Sequence, residues 1–478
     1  MDKSRHFGTA RDHYHKARVE HWDNVARKRD RWQGWGGPYH ARLADIYGFL
    51  TPPGLRILEV GCGRGDLLAS LKPARGVGVD FSSEMLERSR LRHPELHCEV
   101  AQADNLAQIN ERFDVIIFSD LVNDLWDVQA AFEQIRRLCH PGTRVIINFH
   151  SGLWQIPLAI GQRLNLAAPT LPQNWLTPED AQGMLRLAGF ECIRSWHEVL
   201  MPTPLAAPAN KILARLWPFN QLCLANFMIA RPEAQRVRDL PSVSIIIPAR
   251  NESGNIPDIF ERVPAMGRET ELIFVEGHSR DDTYAAIKRE ISAHPHIRAS
   301  LYRQKGIGKA DAVRLGFAHA TGDILMILDA DLTVQPEDLP RFYEALCSRH
   351  GEFINGVRLV YPMVRQAMRG LNFLGNKLFS VAFSWILGQP LKDTLCGTKA
   401  MWRQDYEMIA ANRHYFGEFD PFGDYDLIFG AAKLNRKILD LPIRYGERTY
   451  GSTNISRWRH GALLLRMVVI AALRLKFV

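Results

Sequence analysis

Short apolar runs, each closed by a glycine or an acid, recur along the chain and alternate with segments of helical period. Residues 56–60 run into the glycines of Glu59-Val60-Gly61-Cys62-Gly63-Arg64-Gly65, residues 76–80 end in Asp80, and residues 98–104 end in Asp104. Two further runs cover 113–118 and 144–149, a capped helix is expected over 176–189, and 227–230 is placed to close the sheet. That alternation predicts a parallel, doubly wound sheet. Residues 231–241 are polar, flanked by prolines and without apolar period, which reads as a linker. The pattern then restarts. Residues 243–247, 271–275 and 324–328 are apolar runs, and the last, preceded by Gly322 and followed by Asp329 and Asp331, reads as a strand buried on both faces.

The expected fold class is therefore α/β, with two doubly wound domains. The boundaries are 1–232 with an N-terminal helical extension, a 233–241 linker, 242–450, and a basic amphipathic segment over 451–478. Trp22, Trp32 and Trp35 in the extension fit either a packed helix or a lid over a following site. The last segment is apolar but interrupted by Arg466, Arg474 and Lys476, too broken to span a bilayer. It fits a helix lying in a membrane interface, or one packed on the domain before it. Residues 373–387 offer a second such contact.

Composition narrows the picture little. Hydrophobic content of 46% and charged content of 23% are those of a globular protein. The net charge of +8 suits an anionic partner, but the excess is spread thinly and nucleic acid is not expected. Seven cysteines lack metal-ligand spacing, no secretory signal is visible, and a cytoplasmic chain, peripheral on the inner membrane face, is expected.

Chemistry enters at the strand ends, where an open α/β sheet places its ligands. Glycines after the first strand allow close backbone approach, and Asp80 is placed to accept from a ribose diol. Glu59-Val60-Gly61-Cys62-Gly63 with Gly65, then Asp80, Asp104 and the strand reaching Asp120 resemble the successive motifs of class I S-adenosylmethionine-dependent methyltransferases, with a Rossmann-like fold. The resemblance implies that Glu59, Gly61, Gly63, Asp80 and Asp104 bind S-adenosylmethionine: the two glycines at its methionine part, Asp80 at the ribose, Asp104 near adenine. Asp120 and His150 are candidate bases for a hydroxyl acceptor, or a capped loop residue and a core histidine.

Asp329 and Asp331 supply hard oxygen ligands suited to Mg²⁺ or Mn²⁺, or are solvated loop residues. The segments from Val243 through Asp331 resemble a family 2 glycosyltransferase of the A-type nucleotide-diphosphosugar fold. That resemblance implies Asp329 and Asp331 as metal site, with Pro248, Arg250, Glu252 and Glu276 at the nucleotide and Lys309 at the donor phosphates. It places Asp393 in the site lining and Asp424 or Asp426 as acceptor-side base; a helix cap is the other reading of those two acids. Gly277 stands where the family carries a second acid. Arg448-Thr449-Tyr450-Gly451-Ser452-Thr453-Asn454 resembles the phosphate-binding segment of polyprenyl-phosphate glycosyltransferases, with Asn454 where lysine is usual, and implies Arg448 as a substrate contact.

The expectation is a bifunctional enzyme. A metal-dependent, inverting glycosyltransferase takes a nucleotide-sugar donor and a glycan or lipid-phosphate acceptor, and an N-terminal methyltransferase is fused to it. The alternative is a glycosyltransferase on a non-catalytic, cofactor-binding scaffold.

Overall fold

A computed structural model describes residues 3–28, 35–233, 235–358, 360–361, 370–415, 423, 425–446, 450 and 457–478. It contains two compact units, Met1–Ala234 with Phe477–Val478, and Gln235–Lys476.

The first unit begins with helices α1 (Lys3–Lys28) and α2 (Gly36–Leu50). Seven strands follow: β1 (Arg56–Val60), β2 (Arg75–Asp80), β3 (His97–Val100), β4 (Phe113–Ser119), β5 (Cys139–His150), β6 (Phe190–Glu198) and β7 (Ala225–Pro232). They lie in the order β3-β2-β1-β4-β5-β7-β6. The first five are parallel, and β7 inserts antiparallel to both β5 and β6. Alternate residues of each central strand go to opposite layers: Leu58 and Ile116 pack in one core, Ile57 and Val115 in the other. Burial on both faces is why these strands read as continuous apolar runs. The third strand stops at Val100, so Asp104 lies on the loop beyond it, in a turn closed by the Gln102–Asn105 bridge.

The second unit holds β8 (Val243–Ala249), β9 (Thr270–Glu276), β10 (Arg298–Arg303), β11 (Ile324–Ile327), β12 (Phe353–Val357), β13 (Lys399–Trp402) and β14 (Ile438–Pro442), ordered β10-β9-β8-β11-β13-β12-β14. β13 runs antiparallel to both its neighbours. The polar segment after residue 234 is held by this unit. Val237 donates to the Cys347 carbonyl at 2.9 Å, and Arg236 bridges Glu344. A helix over Arg457–Ala471 buries Leu464, Met467 and Ala471 in the unit's core, each large side chain contributing about 1.5–3 kcal/mol. The packed reading of this segment holds, while its other side exposes Leu465, Val469 and Leu473. Among the described residues, no helix is long and apolar enough to cross a membrane.

Both sheets share one topological feature. The chain builds outward through three strands and then returns to the other side of the first, so a switch point lies between β1 and β4 in one unit and β8 and β11 in the other.

Candidate active sites at two sheet edges

At the first switch point the backbone turns on Gly61, Gly63 and Gly65, with φ of +76°, +50° and +73°. A Cβ on Gly61 would strike the Leu121 side chain at 2.8 Å, whereas one on Gly63 would meet open space. Gly61 and Cys62 both donate to the Val79 carbonyl, at 2.7 and 3.0 Å, which ties the loop to β2. Asp80, at the end of β2, accepts from the Gly63 amide through Oδ2 and from the Ser82 amide through Oδ1, each at 2.9 Å. Burial pushes its carboxyl up to about 6 despite those bonds. Glu59 is buried and raised for the same first reason. One oxygen each of Glu59 and Asp104 is sealed from solvent and without a protein partner.

Helix α1 lies across this edge. Arg11 reaches Asp104 Oδ2 at 2.6 Å, Ser82 Oγ donates to Asp23 at 2.5 Å, and Arg18 and Trp22 hold Asp124 at 2.9 and 2.8 Å. The helix packs, and it packs on the candidate cofactor site. Buried acceptors with unused capacity, an open glycine turn and two acids, Glu59 and Asp80, held by backbone amides fit S-adenosylmethionine, which presents a ribose diol, amines and a cationic sulfonium.

Next to it, Asp120 follows β4 with φ +53°, a conformation that costs a non-glycine residue energy and recurs at functional sites. Its Oδ1 accepts from Tyr39 Oη at 2.7 Å and Asn148 Nδ2 at 2.5 Å, and His150 Nε2 stands 3.7 Å away. Tyr47 Oη donates to Asn148 Oδ1 at 2.7 Å. His150 Nδ1 is buried without a protein partner. Burial holds the neighbouring His40 imidazole neutral, down to about 4. The two candidate bases are thus brought together, with three residues the pattern did not indicate. Asn148 alone left a trace, as one polar side chain inside the apolar run of β5.

At the second switch point, Lys309 Nζ lies 2.5 Å from Asp329 Oδ1. Burial alone raises the Asp329 carboxyl, but Lys309, with Lys399 and Arg358 farther off, holds it below the usual range. Gly397 packs so tightly on this pair that a Cβ there would collide with both side chains. Asp331 Oδ1 accepts from Thr333 Oγ1 at 2.8 Å. Glu276 accepts from the Ser279 amide at 2.5 Å and Glu252 from Asn255 at 2.8 Å; both acids are buried. Pro248 is half-buried and Arg250 exposed at the end of β8. Asn251, His278 and Leu332, after β8, β9 and β11, all have φ between +50° and +58°. Strain is therefore concentrated on the ligand edge of this sheet too.

Residues 244–409 match the family model of glycosyl transferase family 2, and residues 57–142 match that of a methyltransferase domain. The chain joins a methyltransferase domain to a family 2 glycosyltransferase domain. Its glycosyltransferase unit is similar to undecaprenyl-phosphate 4-deoxy-4-formamido-L-arabinose transferases. The Klebsiella pneumoniae protein is 26% identical over 223 residues, 45% of this chain and 63% of the relative. An Enterobacter homologue is 27% identical over 232 residues, 47% and 65% respectively, so the chain spans under two-thirds of these relatives. Among solved structures, glucosyl-3-phosphoglycerate synthase of Mycobacterium tuberculosis, in complex with Mn²⁺, uridine diphosphate and glucosyl-3-phosphoglycerate, is 19% identical. It aligns over 49% of this chain and 80% of its own, with TM-score 0.36. An S-adenosylmethionine-dependent methyltransferase from Mesorhizobium loti is 20% identical over 40% of this chain and 97% of its own, with TM-score 0.32.

Two acids expected in the glycosyltransferase site have structural partners instead. Asp393 has no exposed surface. Burial pushes its carboxyl up, but Arg358, bidentate at 2.7 and 2.9 Å, brings it down to about 2. It fixes Arg358 and, through Asn376 at 2.9 Å, the helix Gly370–Leu387, and it does not line the site. Asp426 is buried between Arg314 and Arg413, each 3.1 Å from Oδ2, so its carboxylate is engaged in ion pairs. Asp424 and Arg448 lie outside the described residues. Gly423 packs its Cα so closely on Ala310 that a Cβ would come within 2.7 Å, and Tyr450 Oη sits 3.1 Å from Ser253 Oγ. Gly423 and Tyr450 themselves therefore stand beside the first turn of the helix Lys309–His319 and the turn after β8. Among the described residues no group of three or more His, Cys, Asp or Glu side chains forms a metal cluster. Asp329 and Asp331 fit a Mg²⁺ or Mn²⁺ that keeps waters and takes substrate oxygens for its remaining positions.

Proposed function

We propose that the second unit transfers a sugar, with inversion, from a nucleotide sugar to a polyprenyl-phosphate or glycan acceptor. The first unit methylates a hydroxyl acceptor with S-adenosylmethionine. The observation that carries this reading is the Lys309–Asp329 pair beside Asp331 at the carboxyl end of the central strand. Asp329 and Asp331 would hold Mg²⁺ or Mn²⁺, which offsets charge on the leaving nucleoside diphosphate. Lys309 adds a second positive group on the same side. Glu252 and Glu276 accept from the nucleoside, with Pro248 and Arg250 beside them. Asp424 takes the acceptor proton when the acceptor is a hydroxyl; a phosphate acceptor needs no base, and Arg448 then binds it. The names of the relatives support a lipid-phosphate acceptor.

Peripheral membrane contact is part of this reading. The helix Gly370–Leu387 exposes Leu378, Val381 and Trp385, the C-terminal helix exposes Leu465, Val469 and Leu473, and no acid occurs from 448 to 478.

In the methyltransferase unit, Glu59, Gly61, Gly63, Asp80 and Asp104 hold the cofactor, which supplies an electrophilic methyl group. His150 Nδ1 accepts the proton of the acceptor hydroxyl, and Asp120 orients the imidazole from its other nitrogen.

The test is nucleoside diphosphate release from a panel of sugar nucleotides with Mn²⁺ or Mg²⁺, with polyprenyl phosphate and soluble glycans as parallel acceptors. Metal-dependent release that Asp331→Asn abolishes is expected; turnover retained in that variant would remove the site. Labelled S-adenosylmethionine in the same reactions tests the other unit. Label in the acceptor, lost in His150→Gln, is expected, and label in neither lipid nor glycan would reduce that unit to a scaffold.

A further inference from the structure

The methyltransferase unit carries an apolar surface that its cofactor site does not explain. Between β5 and β6, and again between β6 and β7, the chain leaves the sheet in long excursions. Residues 151–178 and 199–232 contain neither Asp nor Glu, although 52 of the 478 residues are acids. Their only bases are Arg163, Lys211, Arg215 and Arg231. Arg215 is buried against Glu198 and Arg231 pairs with Glu191, while Arg163 and Lys211 point to solvent.

The two excursions are tied side by side. Ser151 donates to the Leu224 carbonyl at 2.7 Å and Trp154 Nε1 to the Leu222 carbonyl at 2.9 Å. In the first, the helix Gln155–Arg163 turns Leu158 and Gly161 inward and leaves Ile156 and Ile160, one turn apart, exposed. In the second, Leu205 is 95% exposed and Trp217 81% exposed, on short turns rather than on a flat face. A helix apolar on both sides at a protein surface calls for an apolar partner.

Its position in the fold says what the surface serves. His150 is the last residue of β5 and the register partner of Ala225, so the first excursion starts directly at the candidate base and the second ends opposite it. The acid-free rim therefore frames the sheet edge at which His150 stands.

We infer that this rim docks on an anionic lipid surface and receives its methyl acceptor from that surface as an amphiphile. The docking stands on exposure and composition alone, while the acceptor's route to His150 rests on the methyl-transfer reading. Singly protruding Leu, Ile and Trp side chains insert into the headgroup boundary, and the exposed Arg163 and Lys211, each in an acid-free stretch of chain, favour anionic headgroups. A second copy of the chain would favour flat, complementary faces instead.

The full chain is mixed with phosphatidylethanolamine–phosphatidylglycerol vesicles, with and without brominated acyl chains, and with phosphatidylcholine vesicles. Flotation with the anionic vesicles is expected, together with quenching of tryptophan fluorescence by the brominated lipid, and Trp217→Phe removes part of that quenching. Ile156→Glu and Leu205→Glu, exposed positions that leave thermal unfolding unchanged, each lower vesicle affinity at least about tenfold. Leu473→Glu, on the other unit, leaves the Trp217 quenching in place. Three results overturn the inference: affinity and quenching unchanged in both glutamate variants, no vesicle binding by the wild type, or a wild-type dimer that those variants dissociate. Quenching that survives while methyl transfer fails would remove the methyl-transfer reading and leave the docking surface.

Discussion

The two units solve the same topological problem with opposite electrostatics. Each places acids at the carboxyl ends of strands beside a switch point, between β1 and β4 or between β8 and β11. In the methyltransferase unit Glu59 and Asp80 are buried with backbone donors for company, and burial raises both. In the glycosyltransferase unit Asp329 lies against Lys309, which lowers it, and away from the site Asp393 is lowered by Arg358 in the same way. An acid short of cationic neighbours suits a cationic, donor-rich ligand. Acids already matched by bases suit an anionic diphosphate arriving with its own metal. The ligand's charge, more than the fold, decides how an acid at a strand end is surrounded.

The comparison breaks most visibly at Arg358. Arg358→Ala leaves Asp393 buried and unpaired, and a loss of about 3–5 kcal/mol in the glycosyltransferase unit is expected from urea unfolding. A loss below about 1 kcal/mol would mean that the pair is not a structural anchor. Lys309→Ala comes next: removal of one preorganised positive group lowers donor turnover about a hundredfold. Binding of S-adenosylhomocysteine to the other unit stays unchanged, so calorimetry and turnover assays on one variant separate the two sites.

Asp80→Asn weakens S-adenosylhomocysteine binding about tenfold to a hundredfold, the range of a hydrogen bond to a charged group. Its pH dependence sharpens the contrast. With Asp80 raised to about 6 when folded, the native state takes up a proton before the unfolded chain does, so the wild type gains stability relative to the variant as pH falls from about 6 toward 4. Cofactor affinity falls over the same range, because the ionised carboxylate is the acceptor. Asp393, down to about 2, acts in the opposite sense: its contribution is complete above about 4 and is lost as pH falls toward 2. Thermal unfolding of wild type and Asp80→Asn between pH 7 and 4 measures the first effect, and a constant difference would refute it.

The smallest effect belongs to α1. Arg11 is 42% exposed, so its pair with Asp104 contributes under about 1 kcal/mol and is screened by salt. Arg11→Ala should raise protease cleavage in α1 at low salt and make little difference at high salt.

Much of this was legible as pattern. Runs such as Ile57-Leu58-Glu59-Val60 and Ile324-Leu325-Met326-Ile327-Leu328 announce strands covered on both faces, and the residue after each run is at the ligand edge by topology alone. Glycine spacing and Asp329-Ala330-Asp331 carried the resemblances to the two families that the comparisons then found. Asp393 and Asp426 show the limit. Each stands in a segment that resembles a site motif, but Arg358, 35 residues from Asp393, and Arg314, 112 from Asp426, consume them. Nothing local marks such partners. The polar contacts of Tyr39 and Tyr47 with Asp120 and Asn148 were hidden for the same reason, since each joins residues 81 to 101 positions apart.

By itself the sequence determined two α/β units, the glycine turns and the acids at strand ends, because apolar period and backbone freedom are local properties of the chain. Which acids stay open to a ligand and which are paired, that α1 lies on the candidate cofactor edge, and that acid-free excursions frame His150 were decided by tertiary structure. Charge pairing and burial depend on what folding brings close, and Coulomb and desolvation terms act through space rather than along the chain.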